Sequence, residues 1–445
     1  MPQMLNTPKG LVGRSYYLLI AVITILLGAV VYPNTLYAKI FLGLFVFRYL
    51  RLVIGMFAYQ GYTPNPIPRS PTYSPLDVTV IIPTVEPYGQ EFEDTVRSAL
   101  ATGCSEILVA TVGQKNLLKA QDFCTKIGPR VSLIVAETAN KRIQLCRGLE
   151  KVKTKIVVFA DDHVFWPAKF LRAMLSPFED PSIGGVACGK RVRRATSSLF
   201  SPKDFWNFIG CLYLERHNFD LASSNKMDGG VFVISGRTAA YRSEIVCRDD
   251  FQSAFMNEMF APGLFNIGPL NADDDNFITR WLVSRNWGIK FQSSSEALME
   301  TTLGVSGFKK FNLQCLRWVR TTWRSNSTSL FADRTVWKSQ PWCVYAVYIT
   351  SFFNFALFTD AGLIYLCRAA ALETGYSVDF CSSVLGLWIL LSKLVKPFPH
   401  FCRHPRDLLY LPMYILFGYY HSLLKLYALF TVSTVAWGSR PGVVN

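Results

Sequence analysis

Four short apolar runs, DVTVIIP, EILVAT, VSLIVAE and KIVVFAD, recur between residues 77 and 161. Each is rich in β-branched residues, and each is separated from the next by a stretch with helical spacing: FEDTVRSALATG, 115–127 and 141–152. This alternation restricts the fold severely. Strands apolar on both faces must be covered on both faces, and parallel neighbours need a crossover connection long enough to hold a helix. The expectation is an α/β domain with a mostly parallel sheet and helices on both sides. Ligands of such sheets bind beyond the carboxyl ends of the strands, so the residues that follow each strand are where chemistry is sought.

The flanks are different. Half of the 445 residues are hydrophobic, and the excess lies at the two ends rather than in the middle, 76–326. Residues 11–31 have the ~20-residue length of a membrane-spanning helix. Residues 40–59 form a second run, in which Arg48 and Arg51 must face other helices or reach to the headgroups. YTPNPIPRSPTYSPLD follows, and its five prolines make an extended linker. Further runs at 344–366 and 383–395, the latter beginning as early as 378, are expected spans. The last, 408–435, contains Pro412, His421 and Lys425, which suit headgroup depth or a protein contact better than a bilayer centre. The expected division is a transmembrane hairpin at 1–60, a linker at 61–76, a catalytic domain at 77–307, an interfacial amphipathic region at 308–340 and a membrane region at 341–445. The eleven cysteines lack paired spacing, which implies a reducing compartment for the middle domain. The net charge of +15 fits anionic lipid or a phosphorylated substrate. Nucleic acid is not expected, because the basic residues gather at membrane edges rather than in one soluble stripe.

Three clusters carry the chemistry. After the first strand comes PTVEP, with Thr84 and Glu86; after the fourth comes ADDHVFWP, with Asp161, Asp162 and His163. Two carboxylates at a buried strand end call for a cation or a cationic partner. Next, NADDDNFITRW puts Asp273, Asp274 and Asp275 at a helix start. Capping and the helix dipole account for one or two of these. A third exceeds that need, and adjacent carboxylates raise one another's pKa, as a general base requires. Last, FKKFNLQCLRWVRTTWRS has Phe308, Phe311, Leu316, Val319 and Trp323 at helical spacing among Lys and Arg, the pattern of an interfacial helix. Gln314 and Arg317 share a face, and Trp318 offers a ring for stacking.

The order of these elements, strand–Pro-Thr, DDH, DDNFI and QxxRW between membrane runs, resembles the family 2 glycosyltransferases. The similarity is closest to the processive membrane branch of hyaluronan, chitin and cellulose synthases, above all hyaluronan synthase and fungal polysaccharide synthases, and it covers nearly the whole chain. SGRTAAYR at 235–242, MET before the interfacial helix and WGSR at 437–440 match further elements of that family. The resemblance implies a GT-A (Rossmann-like) catalytic domain on the cytosolic side of a membrane, the plasma membrane being expected. It implies inverting transfer from a UDP-sugar to a growing β-linked polysaccharide; single transfer to a lipid acceptor is the alternative. It also implies roles. Thr84 and Glu86 hold the uridine, and Lys141 and Arg142 of NKR lie near the nucleotide. Asp161, Asp162 and His163 stand for the metal motif, with Mg²⁺ or Mn²⁺. Asp275 is the base, with Asp274 the next choice. Ser235 and Gly236 lie beside the acceptor, Gln314, Arg317 and Trp318 at the acceptor and diphosphate, and Trp437 and Arg440 in a gate over the nucleotide. Two departures stand out. DDH replaces D-x-D, and either His163 or Asp162 takes its last position, depending on the register. ATVGQ after the second strand lacks the family's usual acidic pair. If WGSR closes on the cytosolic side, the crossings between Arg317 and Arg440 are even in number, which keeps 408–435 from being a simple span.

Overall fold

In the computed structural model, residues 11–30, 35–195 and 200–435 are described. Nine strands form the central sheet: β1 (Val78–Pro83), β2 (Glu106–Val112), β3 (Val131–Ala136), β4 (Ile156–Ala160), β5 (Val164–Phe165), β6 (Ile183–Val192), β7 (Thr238–Arg242), β8 (Gly288–Gln292) and β9 (Leu298–Thr301). The path is β3-β2-β1-β4-β7-β6-β9-β5, with β8 paired to β6. β1 to β4 are mutually parallel, as the alternating sequence requires. β7 then runs antiparallel to both β4 and β6. Strand order reverses beside β1, whose neighbours are β2 and β4. That reversal leaves a crevice at the carboxyl ends of β1 and β4, where PTVEP and DDH emerge.

β1, β2 and β4 are buried on both faces, alternate residues facing opposite sides, while β3 at the sheet edge leaves Ser132 and Val135 exposed. Val78, Val80, Ile82, Val158 and Ala160 pack on one side, while Ile81, Leu108, Val157, Phe159 and Tyr241 pack on the other. Helices α1 (Leu11–Val30), α2 (Leu36–Gly61), α3 (Gln90–Ala101), α4 (Gln114–Ile127), α5 (Lys141–Leu149) and α6 (Pro202–Asp228) precede or interleave the sheet. Helices α7 (Asp274–Ser284), α8 (Phe308–Ser327), α9 (Ala356–Thr374), α10 (Val378–Leu394) and α11 (Leu411–Phe430) follow. Gly148 on α5 lets that helix sit close on β1: a Cβ there would lie 2.7 Å from Ile81 Cγ2.

Among the described residues, α2 is long and apolar enough to cross a membrane. The run expected at 344–366 is not one straight helix. Pro341–Phe353 and Ala356–Thr374 meet at 86°, and the break falls where Asn354 accepts a 2.7 Å hydrogen bond from Arg48. Arg48 also pairs with Asp360 at 2.5 Å, and Arg51 donates to the Ala346 carbonyl and Thr350 hydroxyl. Both arginines therefore face the helix bundle. The apolar stripe of α8 is covered by protein as well: Phe311, Cys315, Leu316 and Val319 pack with Tyr414, Leu424 and Ala428 of α11. All eleven cysteines are free. Asn326 of the sequon Asn326-Ser327-Thr328 is buried and donates to Ser351.

Candidate active site

A cavity of ≈ 660 Å³ opens at the carboxyl ends of the parallel strands. It brings together Thr84, Glu86, Lys141, Asp161, Asp162, His163, Ser235, Gly236, Asp274, Asp275, Gln314, Arg317 and Trp318. These come from segments spread across more than two hundred positions, and four structural devices hold them.

The first is Lys141, at the start of α5. Its Nζ donates to Asp161 Oδ1 at 2.9 Å and to the Gly236 carbonyl at 2.9 Å, and it meets Asp274 Oδ2 at 3.0 Å. Burial opposes its charge, but the Asp161 and Asp274 carboxylates outweigh burial and hold the ammonium above its ordinary pKa. The second is Gly236. Its amide donates to Asp275 Oδ2 at 3.0 Å, and a Cβ there would stand 3.2 Å from both Asp274 Oδ2 and Lys141 Nζ. The missing side chain is what lets the acids approach the β7 turn. The third is Asp273, which starts α7 with φ at +73°, a left-handed conformation that aspartate tolerates. Rather than capping its own helix, its carboxylate takes the Arg324 guanidinium at 2.8 Å and the Thr321 hydroxyl. This ties the Asp274–Asp275 turn to α8, which carries Gln314, Arg317 and Trp318. Arg324 also donates to the Val432 and Thr434 carbonyls, holding the segment after α11 against the same helix. The fourth is Thr84, whose hydroxyl donates to Asp162 Oδ2 at 2.7 Å and spans the β1/β4 crevice.

Asp275 is the group best suited to accept a proton. It is pushed up to about 6 by burial and by the neighbouring Asp274 carboxylate, against the pull of Lys141 and the Gly236 amide. Asp161 goes the other way: burial works against its charge, but Lys141 and then His163 hold it below the ordinary carboxylate range. Two carboxylates in one cavity thus have their affinities for a proton drawn apart, the arrangement that separates a base from a permanent anion.

Three sequence expectations need correction or fall outside the described residues. Arg142 does not line the cavity. It is buried behind it, donating to the Phe255 and Ala272 carbonyls and pairing with Glu258 at 2.6 Å, so it positions the 255–272 segment. Asp161, Asp162 and His163 do not converge as a three-donor metal cage, and no group of three potential ligands does so among the described residues. The reason is local. Asp161 is engaged by Lys141, and Asp162 accepts from Thr84 while lying 2.9 Å from His163 Nδ1. Both carboxylates still border the cavity, and two oxygen donors completed by substrate phosphates form a common way of holding Mg²⁺. Trp437 and Arg440 lie outside the described residues.

The cavity also contains residues that sequence reasoning passed over. Lys190 of β6 and His217 of α6 face each other at 2.8 Å. Arg237, just before β7, lies with its Cζ 5.4 Å from the Trp318 ring centroid, and Tyr213 packs on the same indole at 4.9 Å. A signal was present: a lysine inside the apolar run IGGVACGKRV is rarely buried without a purpose.

Residues 75–321 match the family model described as glycosyltransferase like family 2. A type 2 glycosyltransferase of Gibberella zeae is 40% identical over 417 residues, 92% of this chain and 77% of the relative. Hyaluronan synthase of Streptococcus pyogenes is 20% identical over 415 residues, 90% of each chain. Among solved structures, a mannosyltransferase of Pyrobaculum calidifontis in complex with GDP-Man and Mn²⁺ shares the fold at a TM-score of 0.50 and 16% identity, covering 87% of this chain and 97% of that one.

Proposed function

The chain belongs to glycosyltransferase family 2, and on that premise we propose that it is an inverting enzyme that transfers a sugar from a UDP-sugar to a growing β-linked polysaccharide at a membrane. The observation that carries this reading is the convergence of the β1 and β4 strand ends, the Asp274–Asp275 turn and the Gln314–Trp318 face of α8 on one cavity. In this reading the nucleotide lies over Thr84, Glu86 and the β4 end. Asp275 removes the proton from the acceptor hydroxyl as that oxygen attacks the anomeric carbon. A single displacement inverts the carbon, so an α-linked donor yields a β-linked product. Arg317, which borders the same cavity, stabilises the negative charge that grows on the departing diphosphate. A divalent ion, when bound, neutralises diphosphate charge, and Asp161 and Asp162 are the residues that would hold it.

The polymer reading, as against transfer to a lipid, is supported by the cavity's extent. Its wall continues past Trp318 to Asn326, Val347 and Ser351, between α8 and the helix bundle. That stretch of wall leads from the Trp318 face toward the candidate membrane helices. The test is to incubate the purified protein, in detergent or nanodiscs, with a panel of UDP-sugars and a divalent ion, and to size the product. Long β-linked chains are expected. A product of one added sugar would favour the lipid acceptor, and no turnover of any UDP-sugar would reject both.

A further inference from the structure

One end of the cavity is organised by Lys141 and its carboxylates; the other end is basic, and among the described residues its cations form no ion pair. Strand register fixes where that end is. Ala239 of β7 pairs with Phe159 of β4 on one side and with Ala187 of β6 on the other. Asp162 follows shortly after the end of β4, and Lys190 lies three residues beyond the last β6–β7 pair, where β6 has passed to β9, so the two are carried by the strands on opposite sides of β7. Arg237, just before β7, lies between them, and its carbonyl accepts the Asp161 amide at 2.8 Å. Along the sheet edge the order is therefore nucleotide crevice, Arg237, Lys190.

Among the described residues no carboxylate comes within ion-pair distance of Lys190 or Arg237, and the Arg237 Nε is buried without a hydrogen-bond partner. His217 adds a further nitrogen beside Lys190. Burial, reinforced by Arg237 and opposed by Cys188 and Asp275, brings Lys190 down to about 7, and His217 is lowered by burial and then by Lys190 and Arg237. Asp161 and Asp275 favour the charged forms only from beyond ion-pair distance; burying such groups without a directly bonded anion is electrostatically unfavourable, and packing alone would be served better by apolar side chains. The aromatic rings of Trp318, Tyr213 and Phe232 wall the cluster, as suits a sugar presented flat with a charged substituent beside it.

We propose that Lys190, His217 and Arg237 form an anion-recognising subsite at the acceptor end of the cavity, so that the acceptor carries a carboxylate or phosphate group at that point. The proposal rests on reading the cavity as a UDP-sugar transferase site. An anion seated there would complete the hydrogen bonding of Arg237 and give Lys190 a charged partner in addition to His217, with charge-assisted bonds that a neutral group does not make.

The test uses the whole chain in detergent micelles, saturated with UDP. Three matched probes are titrated calorimetrically: a β-linked disaccharide with a terminal carboxylate, its methyl ester, and the same disaccharide as a phosphate monoester. The wild-type protein is expected to bind at least one anionic probe tenfold or more tightly than the ester, and which one does so identifies the source of the anion. Arg237→Met and Lys190→Met are expected to bring the three affinities within about twofold, and Arg237→Lys to keep the preference. Equal binding of acid, phosphate and ester by the wild type would overturn the proposal without reference to any variant. A parallel fall in UDP affinity in Lys190→Met and Arg237→Met would also overturn it, assigning these cations to the donor diphosphate. The UDP titration of the wild type is separate: its failure would reject the UDP-sugar reading, while discrimination among the probes would still report the anion subsite.

Discussion

Lys141 and Lys190 are both buried, both line the same cavity, and have opposite surroundings. Lys141 touches two carboxylates and a carbonyl, and they hold its proton firmly. Lys190 touches a histidine and lies near an arginine, and it is brought down to about 7. The difference teaches what each end of the cavity is for. At the Lys141 end the lysine is ion-paired, and it organises Asp161 and Asp274 beside Asp275, the proposed base. At the Lys190 end no carboxylate among the described residues forms an ion pair with the cations, and that is the ground for the anion site proposed there. Burial alone says nothing about which role a lysine has; the neighbours decide it.

The largest effect that would sharpen this contrast is on chemistry at the first end. Asp275→Asn is expected to lower sugar transfer by ~10²–10⁴-fold while UDP affinity stays near wild type, measured by turnover and by UDP titration. Turnover close to wild type would move the base to Asp274. Next is stability. Lys141→Met leaves Asp161 and Asp274 buried without their partner and is expected to cost ~3–5 kcal/mol, read by thermal unfolding. Lys190→Met removes a buried amine that has no carboxylate and is expected to change stability by less than ~1 kcal/mol. Equal losses in the two would erase the distinction drawn between the lysines.

A smaller effect concerns pH. In the proposed mechanism Asp275 acts deprotonated, and its surroundings push it up to about 6, so transfer is expected to fall as pH drops through 6 and to be level above it. Burial and the Asp274 charge both raise that value, so Asp274→Asn is expected to move the acid limb of the rate profile to lower pH. A limb that stays in place would show that Asp274 does not tune the base. The smallest effect is at the second end. An anion beside Lys190 favours its charged form, so binding the anionic probe at pH 8 is expected to take up a fraction of a proton. Calorimetry in buffers of different ionisation enthalpy reads this, and no buffer dependence is expected in Lys190→Met.

The helix bundle gives a parallel lesson about charge in apolar runs. Arg48 and Arg51 interrupt α2, and the structure gives them Asp360, Asn354, Thr350 and a carbonyl as partners. Here the sequence states the problem, a cation in an apolar run, and the fold supplies the partner from about three hundred residues away.

Local pattern determined much of this protein. The burial of β1, β2 and β4 on both faces, the parallel order of β1 to β4, the helices between them and the amphipathic α8 follow from residue types and spacing, because side-chain direction along a strand or helix is a local property. The acids at the β4 end and at the start of α7 were legible for the same reason: charge where an apolar element stops is unusual whatever the fold. What sequence could not contain is which remote elements meet. The antiparallel β7 sets Arg237 between Asp162 and Lys190, the left-handed Asp273 turns its carboxylate to Arg324 instead of its own helix, and Arg142 is drawn behind the cavity by Glu258 and two carbonyls. DDH reads as three ligands in a row, yet Lys141 and Thr84 engage its carboxylates from other strands and helices. Strand order and register are decided by the packing of the whole sheet, and a buried charge takes its function from whichever partner that packing brings within 3 or 4 Å.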